Sequence, residues 1–324
     1  MNRIELKLYG LLHIKNNEES AMNIKVNSFD DQIEVYIKNA LTLSKSLKLQ
    51  GISFTLLTND KVHINKILNN INEFLVVEEI TFSTVVPTGS RFYSAHFKLD
   101  VFKYFSTLES KEYVGICDLD MICINQLPQS LENCINDKIP CFYDITDQVI
   151  NAYGANTIIN DIELLTGVRS EGRWAGGELI LGDSSFFKKL SNTIDDIYIN
   201  YINNIKTLHH VGDEAFTSAA LEILRKSGTY IADIGQLNIV GRHWNCYVEH
   251  DKRAFSYYSN CFLLHLPADK RFLADISSYN LNTSNDYLIQ YNRYRNSLYK
   301  IIKIKIKILK ILKILKILKI LKNR

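Results

Sequence analysis

Short apolar runs alternate along the chain with longer segments whose apolar residues recur at the helical period. The first run predicts a strand over 6–14, and the segment 30–50 predicts a helix that Asp30 caps and Gly51 ends. This alternation is typical of an α/β fold, and we expect a mostly parallel central sheet with an antiparallel addition. Further strands are predicted at 52–58, 74–80, 114–117, 140–144, 178–182, 229–234 and 261–266. Further helices are predicted over 61–72, from residue 90 onward and over 213–228.

The chain is predicted to form one compact domain followed by a helical, basic tail. Its 324 residues are 46% hydrophobic and 23% charged, and only 4 prolines and 14 glycines are present, so no long linker marks a boundary. We therefore place a single domain over 1–275 and a helical extension over 276–299. A low-complexity tail of Lys, Ile and Leu covers 300–324.

Most of the excess positive charge lies in the tail. The formal net charge is +3, but the tail holds nine lysines and one arginine and no acid. In the remaining body 28 basic residues face 35 acidic ones, which gives a charge of about −7. A body of this sign argues against duplex nucleic acid as a partner, because neutralising phosphates needs clustered Lys and Arg.

Within the tail, lysine recurs at every third residue from Lys307 to Lys322. The lysine row therefore drifts around a helix and does not keep to one face. Central lysines make a membrane span costly, whereas an anionic membrane surface would let their side chains reach the headgroups. We expect such surface binding; a low-complexity addition without function is the alternative that the sequence leaves open.

Six cysteines are scattered through the chain without a C-x-x-C pair, and the N-terminus does not have the pattern of a signal peptide. Such cysteines are expected to be small buried apolar residues, and no zinc site is expected. Together with the tail, this predicts a cytoplasmic protein that associates peripherally with the inner face of the plasma membrane.

Two acids, Asp118 and Asp120, follow the apolar strand at 114–117. In open α/β sheets, ligands bind beyond the carboxyl ends of the strands. Residues i and i+2 of an extended segment point to the same side, so both carboxylates converge. Two anions held this close need a cation between them, and hard oxygen ligands favour Mn²⁺ or Mg²⁺. A solvated turn after a strand is the alternative interpretation.

An apolar strand that ends in Asp-x-Asp, downstream of a segment that begins with Arg91, resembles the nucleotide-sugar transferases of the GT-A fold. The likeness is closest to the retaining, galactosyltransferase-like families eight and six, and it covers roughly residues 5–275. The resemblance implies a Rossmann-like catalytic domain over 1–275. It also implies a hexose donor that is a nucleotide-diphosphate sugar, with UDP as the expected nucleotide, and transfer with retention.

The resemblance assigns a donor-binding set of residues. A basic residue on the helix before the Asp-x-Asp strand contacts the donor in such enzymes, and Arg91 and Lys98 lie nearly on one face of the predicted helix. The family lines its donor-sugar pocket with small residues where this chain has Gly176-Gly177-Glu178, so Glu178 departs from the pattern. Solvated charges and a plain β-turn are the alternatives. The implied donor-binding residues are Arg91, Lys98, Asp118, Gly176, Gly177, Glu178 and Lys270.

Two later segments also take roles from the resemblance. Asp213 and Glu214 are expected to be catalytic, because the family places an acid beneath the anomeric carbon, as nucleophile or ion-stabiliser; a helix cap is the alternative. His265 and Lys270 keep the spacing of a His-x-x-Gly-x-Lys pattern in which His is a metal ligand and Lys meets the phosphate. Ala268 replaces the glycine, and a core histidine is the alternative reading.

The predicted function is a metal-dependent hexosyltransferase that acts on a saccharide acceptor, and the tail alone suggests a lipid-linked surface glycan. A sugar nucleotidylyltransferase would need a glycine-rich, basic loop after the first strand, where this chain has HIKNNEES. A non-catalytic carbohydrate- or membrane-binding protein on the same fold is disfavoured by intact Asp118, Asp120 and His265. The sugar, the base, the acceptor hydroxyl and the stereochemistry stay open.

Overall fold

The computed structural model describes residues 5–15, 28–68, 74–109 and 112–322, and beyond residue 300 it describes side chains only at 303–305 and 308. The strands are β1 (Leu6–Leu12), β2 (Ser53–Thr58), β3 (Val76–Glu79), β4 (Tyr113–Cys117), β5 (Met121–Cys123), β6 (Cys141–Asp144), β7 (Ala175–Asp183), β8 (Ala232–Asp233), β9 (Val240–Arg242) and β10 (Leu263–His265). The helices are α1 (Phe29–Lys48), α2 (Lys61–Leu68), α3 (Lys98–Ser106), α4 (Gln129–Asn136), α5 (Thr146–Tyr153), α6 (Ala155–Thr166), α7 (Ser184–Asn204), α8 (Asp213–Lys226), α9 (Phe255–Tyr258), α10 (Lys270–Ile276) and α11 (Ser284–Lys322).

The fold is α/β and its central sheet is mostly parallel, which confirms the predicted fold class. Its strand order is β3-β2-β1-β4-β7-β6-β8. Only β7 runs against the other strands of this sheet among the described residues. The inner strands are buried on both faces, since β4 is buried throughout, as expected for a sheet covered by helices on both sides.

A smaller sheet with the order β5-β10-β9 adjoins the central one. In it β10 pairs antiparallel with β5 and parallel with β9. The chain passes from β4 in the large sheet to β5 in the small one through three residues, 118–120. That short connection is where the two sheets meet, and it carries the acid pair noted in the sequence.

Most element boundaries lie within a few residues of those predicted, with two local corrections near the N-terminal half. The cap of α1 is Ser28, whose hydroxyl accepts from the N–H of Asp31 at 3.1 Å, and not Asp30. The predicted helix from residue 90 begins instead as a short 3₁₀ helix, Tyr93–Phe97, which leads into α3. The end of the predicted helix at 61–72 lies outside the described residues.

The C-terminal part forms one long helix. α11 runs from Ser284 to Lys322 without a break near residue 300, so the predicted extension and tail share one element. Tyr287 and Tyr291 anchor its first turns in a second apolar cluster that includes Phe272. No helix of the described part of the chain is long and apolar enough to cross a membrane.

The cysteines are free thiols, and all but Cys246 are buried. Burial raises the pKa of Cys261, and a backbone hydrogen bond from Gly241 only partly offsets that rise. A buried, protonated thiol behaves as a small apolar side chain. The described structure therefore agrees with the expectation of apolar core cysteines.

Candidate active site

Asp118 and Asp120 lie at the junction of the two sheets. Backbone hydrogen bonds to β7 (3.0 Å) and to the segment after β10 (2.9 Å) fix their connection. Leu119 between them points into the core, where a Cβ on Gly10 would lie only 2.3 Å from its side chain. Since the middle residue points inward, both carboxylates face the opposite side, where Asp118 and Asp120 line a cavity.

His265, the last residue of β10, faces this acid pair. Its Nε2 lies 3.2 Å from Asp120 Oδ1 and 3.8 Å from Asp118 Oδ2. One ligand atom from each of the three residues lies within 4.8 Å of the others. On the other side of the ring, Nδ1 lies 3.0 Å from Glu178 Oε1. A carboxylate behind the imidazole in this way leaves Nε2 directed at a metal position.

Two lysines contact the carboxylate oxygens of the acid pair that lie farther from His265. Lys98 Nζ lies 2.9 Å from Asp118 Oδ1, and Lys270 Nζ lies 2.6 Å from Asp120 Oδ2. The inner oxygen of each aspartate is the one nearest His265. Two carboxylate oxygens and one imidazole nitrogen form a donor set suited to Mn²⁺ or Mg²⁺.

The charge balance of the site also fits a divalent cation. The charged side chains that contact one another around the acid pair form a network of five carboxylates and three cations. With a neutral His265, two negative charges are therefore left without a cationic partner. Burial lowers the pKa of His265, but Asp120 and Glu178 outweigh burial and raise that pKa to about 9. The carboxylates around His265 therefore favour positive charge at this position. The network residues are Asp118, Asp120, Glu178, Asp213, Glu214, Lys98, Arg242 and Lys270.

Lys98 is a buried cation that joins the candidate metal cluster (Asp118, Asp120 and His265) to α8. Its Nζ lies 2.6 Å from Asp213 Oδ2, and it donates to the Gly177 carbonyl at 2.8 Å. Burial lowers the pKa of Lys98, yet Asp118 and Asp213 raise it above the usual value. Asp213 does not cap α8, whose N-cap residue is Gly212 without a side-chain cap bond. The structure thus places Asp213 in an ion pair at the first turn.

Glu214 follows Asp213 and lines the same cavity. Its carboxylate accepts from Trp174 Nε1 at 3.0 Å and from an Arg242 guanidinium nitrogen at 3.1 Å, and His210 Nε2 lies 3.6 Å away. Burial raises the pKa of Glu214, but His210 and Arg242 more than offset burial and leave the pKa below its usual value. Glu214 is therefore an oriented, ionised carboxylate at neutral pH.

One cavity of about 700 Å³ is lined by Asp118, Asp120, His265, Lys98, Lys270, Asp213, Glu214 and Arg242. The wall beyond Glu214 is aromatic: Tyr153 and His250 lie with ring centroids 5.7 Å apart, and Trp244 and His250 lie 6.1 Å apart. Trp244 Nε1 and His250 Nδ1 are buried and have no hydrogen-bond partner in the described structure. An aromatic wall of this kind suits a ligand with an apolar face.

Sequence reasoning missed Arg242, Tyr153 and Trp244. Arg242 ends the three-residue strand β9, and its carboxylate partners are 64 and 28 residues away in the chain. No motif or periodicity in so short an element signals such a contact. Trp244 follows in an irregular segment, where the tryptophan itself was the one available hint.

Several predicted site residues lie elsewhere than their sequence context indicated. Arg91 lines the cavity from a turn and not from a helix shared with Lys98, because the 3₁₀ segment begins only after Phe92, whose φ is +51°. Gly176 and Gly177 lie inside β7 and not in a turn before it, whereas Glu178 lies in this strand as predicted. Of the glycine pair, only Gly177 is among the residues that line the cavity.

No protein-family model matches this chain, and no curated protein sequence does either. Among solved structures, it is similar to the galactosyltransferase LgtC, crystallised with donor and acceptor sugar analogues, at 10% identity and a TM-score of 0.49 over 84% of this chain and 95% of that one. It is similar to mouse xyloside xylosyltransferase 1, at 11% identity and a TM-score of 0.48 over 81% and 97%. It is also similar to the bifunctional glycosyltransferase WbbM, at 8% identity and a TM-score of 0.46 over 82% and 46%. All three are named as glycosyltransferases.

Proposed function

We propose that this chain is a metal-dependent glycosyltransferase that moves a hexose from a nucleotide-diphosphate sugar to a saccharide acceptor. The observation that carries the proposal is the convergence of Asp118, Asp120 and His265 on one point of a cavity. Glu214 lines the same cavity. A cluster of this kind suits a diphosphate on one side and a sugar on the other, and the resemblance names UDP as the nucleotide.

The metal cluster and its lysines would receive the diphosphate. A divalent cation bound by Asp118, Asp120 and His265 would act as a Lewis acid on the departing nucleoside diphosphate. Lys270 lies on the cavity wall and is held by Asp120 and by the Pro267 carbonyl at 2.8 Å. Its pKa is raised to about 12, since burial, which lowers it, is outweighed by Asp120. It therefore keeps its charge where negative charge develops on the phosphates.

Glu214 would act on the sugar. Trp174 and Arg242 hold its carboxylate in place, so it is preorganised to stabilise positive charge at an anomeric carbon, as carboxylates do in glycosidases. Retention follows if this carboxylate lies under the face opposite the departing phosphate. Both a double displacement and a short-lived ion pair are compatible with such a placement.

The aromatic wall would receive the acceptor saccharide. Tyr153, Trp244 and His250 line the cavity beyond Glu214, and aromatic rings pack against the apolar faces of sugars. The proposal that the acceptor is lipid-linked, and that the chain lies on an anionic membrane surface, rests on the basic tail of residues 300–324 alone.

The proposal is tested with a panel of nucleotide-sugar donors, assayed for released sugar and nucleoside diphosphate with Mn²⁺ and with EDTA. Turnover of at least one donor should require the metal. Asp120→Asn should lower both Mn²⁺ binding and turnover by more than about 100-fold, because it removes a ligand and its charge. Asp195→Asn, a surface acid paired with Lys103, is the matched control and should change neither.

Circular dichroism and the thermal midpoint establish that Asp120→Asn is folded, so that lost activity is not lost structure. Full turnover in EDTA, or an Asp120→Asn variant that binds Mn²⁺ and turns over donor like the parent, would exclude the proposed chemistry. Formation of a nucleoside triphosphate and a sugar 1-phosphate from a nucleotide-sugar and inorganic diphosphate would instead identify a nucleotidylyltransferase.

A further inference from the structure

A buried ion pair, Glu178 with Arg242, lies under the cavity between the metal cluster and Glu214. Glu178 is fully buried and Arg242 is 6% exposed. The same Glu178 oxygen, Oε1, accepts from Arg242 Nε and lies 3.0 Å from His265 Nδ1. Arg242 in turn reaches Glu214 Oε1 at 3.1 Å. A continuous chain of contacts therefore runs from His265 to Glu214.

The backbone holds this chain of contacts in register. β9 and β10 pair in parallel with Arg242 opposite His265, so both side chains leave neighbouring strands at the same level. Glu178 comes from β7, and its carbonyl accepts from the N–H of Asp118 at 3.0 Å. Because β7 pairs with β4 and β9 pairs with β10, the ion pair comes from strands that adjoin those carrying Asp118 and His265.

A purely structural ion pair would not need these neighbours. Buried charges cost stability unless they are paired, and Glu178 and Arg242 would meet that need by contacting each other alone. Here each member also contacts a group proposed to act in the reaction, and both additional contacts are direct. The arrangement is therefore suited to set the orientation of His265 and of Glu214 together.

We propose that Glu178 and Arg242 are positioning residues that couple the two halves of the site. Glu178 holds His265 by Nδ1, which directs Nε2 to the metal position. Arg242, anchored by Glu178, holds the Glu214 carboxylate against the cavity. The part that concerns Glu214 rests on the proposed function, whereas the part that concerns His265 requires only metal binding.

The first test is the Mn²⁺ affinity of Glu178→Gln, measured by electron paramagnetic resonance of free Mn²⁺. The amide keeps the shape of the side chain but removes the charge behind His265, so affinity should fall about 10- to 100-fold. Glu222→Gln is the matched control, because Glu222 is equally buried and ion-paired, with Arg225 at 3.0 Å, but lies outside the site. Its Mn²⁺ affinity should equal that of the parent.

The second test separates positioning from stability. Arg242→Met alone leaves Glu178 and Glu214 without their cation, whereas Glu178→Gln combined with Arg242→Met removes opposite charges together. If the two residues act by positioning, the thermal midpoint of the double variant should rise above that of Arg242→Met and approach the parental value. Its Mn²⁺ affinity and kcat should nevertheless stay at least about 10-fold below those of the parent. Recovery of affinity and kcat along with stability would show a merely structural pair and overturn the inference.

Arg242→Lys serves if Arg242→Met does not fold. Lysine keeps the charge but offers no planar fork that could contact Glu178 and Glu214 at once, so kcat should fall while the KM for the donor stays near the parental value. Parental kcat in Arg242→Lys, or parental Mn²⁺ affinity in Glu178→Gln, would refute the coupling. Neither result would affect the proposed function, which fails if turnover is complete in EDTA or if Asp120→Asn keeps parental metal binding and turnover.

Discussion

Lys98→Met removes the cation at the centre of the site and leaves a side chain of similar length. Lys98 is 6% exposed and contacts two carboxylates and a carbonyl, at 2.9, 2.6 and 2.8 Å. Without it, Asp118 and Asp213 stand close together with no intervening charge. We therefore expect a folded protein of lower stability, and not a neutral substitution.

The size of the loss follows from burial. Removing one partner of a buried ion pair costs about 3–5 kcal/mol of the free energy of unfolding, because a charge is left uncompensated. Lys103→Met is the matched control: Lys103 lies 2.8 Å from Asp195, but its side chain is 41% exposed. Exposed pairs of this kind contribute at most about 1 kcal/mol.

Urea denaturation, followed by circular dichroism with and without Mn²⁺, measures both variants. Mn²⁺ should raise the free energy of unfolding of Lys98→Met more than that of the parent protein, since the cation compensates part of the charge that Lys98 no longer neutralises. A loss below about 1 kcal/mol, equal to that of the surface control, would refute the assignment of Lys98 as a buried counterion.

Three further predictions follow from the site, the core and the tail. Gly177→Ala should lower donor turnover by about 10-fold or more, since its Cβ would lie 2.7 Å from the Asp213 carboxylate; parental turnover would contradict this. His13 and His243 have pKa values lowered to about 4, chiefly by burial, so their neutral forms stabilise the fold above pH 6.5. That stability, at most about 3 kcal/mol per histidine, is lost as pH falls from 6.5 towards 4; urea midpoints that stay constant over this range would contradict it. Removal of residues 300–324 should abolish binding to vesicles with anionic lipid while donor hydrolysis persists; unchanged vesicle binding would exclude the tail as the contact.

The sequence by itself determined the α/β layer pattern and the place of the acid pair. Both are local properties: hydrophobic periodicity marks strands and helices, and the i, i+2 spacing of Asp118 and Asp120 after an apolar strand fixes that their side chains point together. His265 could be added only through the family resemblance, because nothing near it in the chain points to a ligand role.

The tertiary structure alone decided which charges meet. Lys98 contacts Asp213 across 115 residues, and Arg242 contacts Glu178 across 64; such pairs depend on strand order and register, which local patterns do not encode. The 3₁₀ helix that precedes α3 could not be predicted from the sequence for a related reason. Phe92 adopts a left-handed φ of +51° where its ring stacks on His210 at 5.3 Å, and that tertiary contact overrides the helical pattern of the segment.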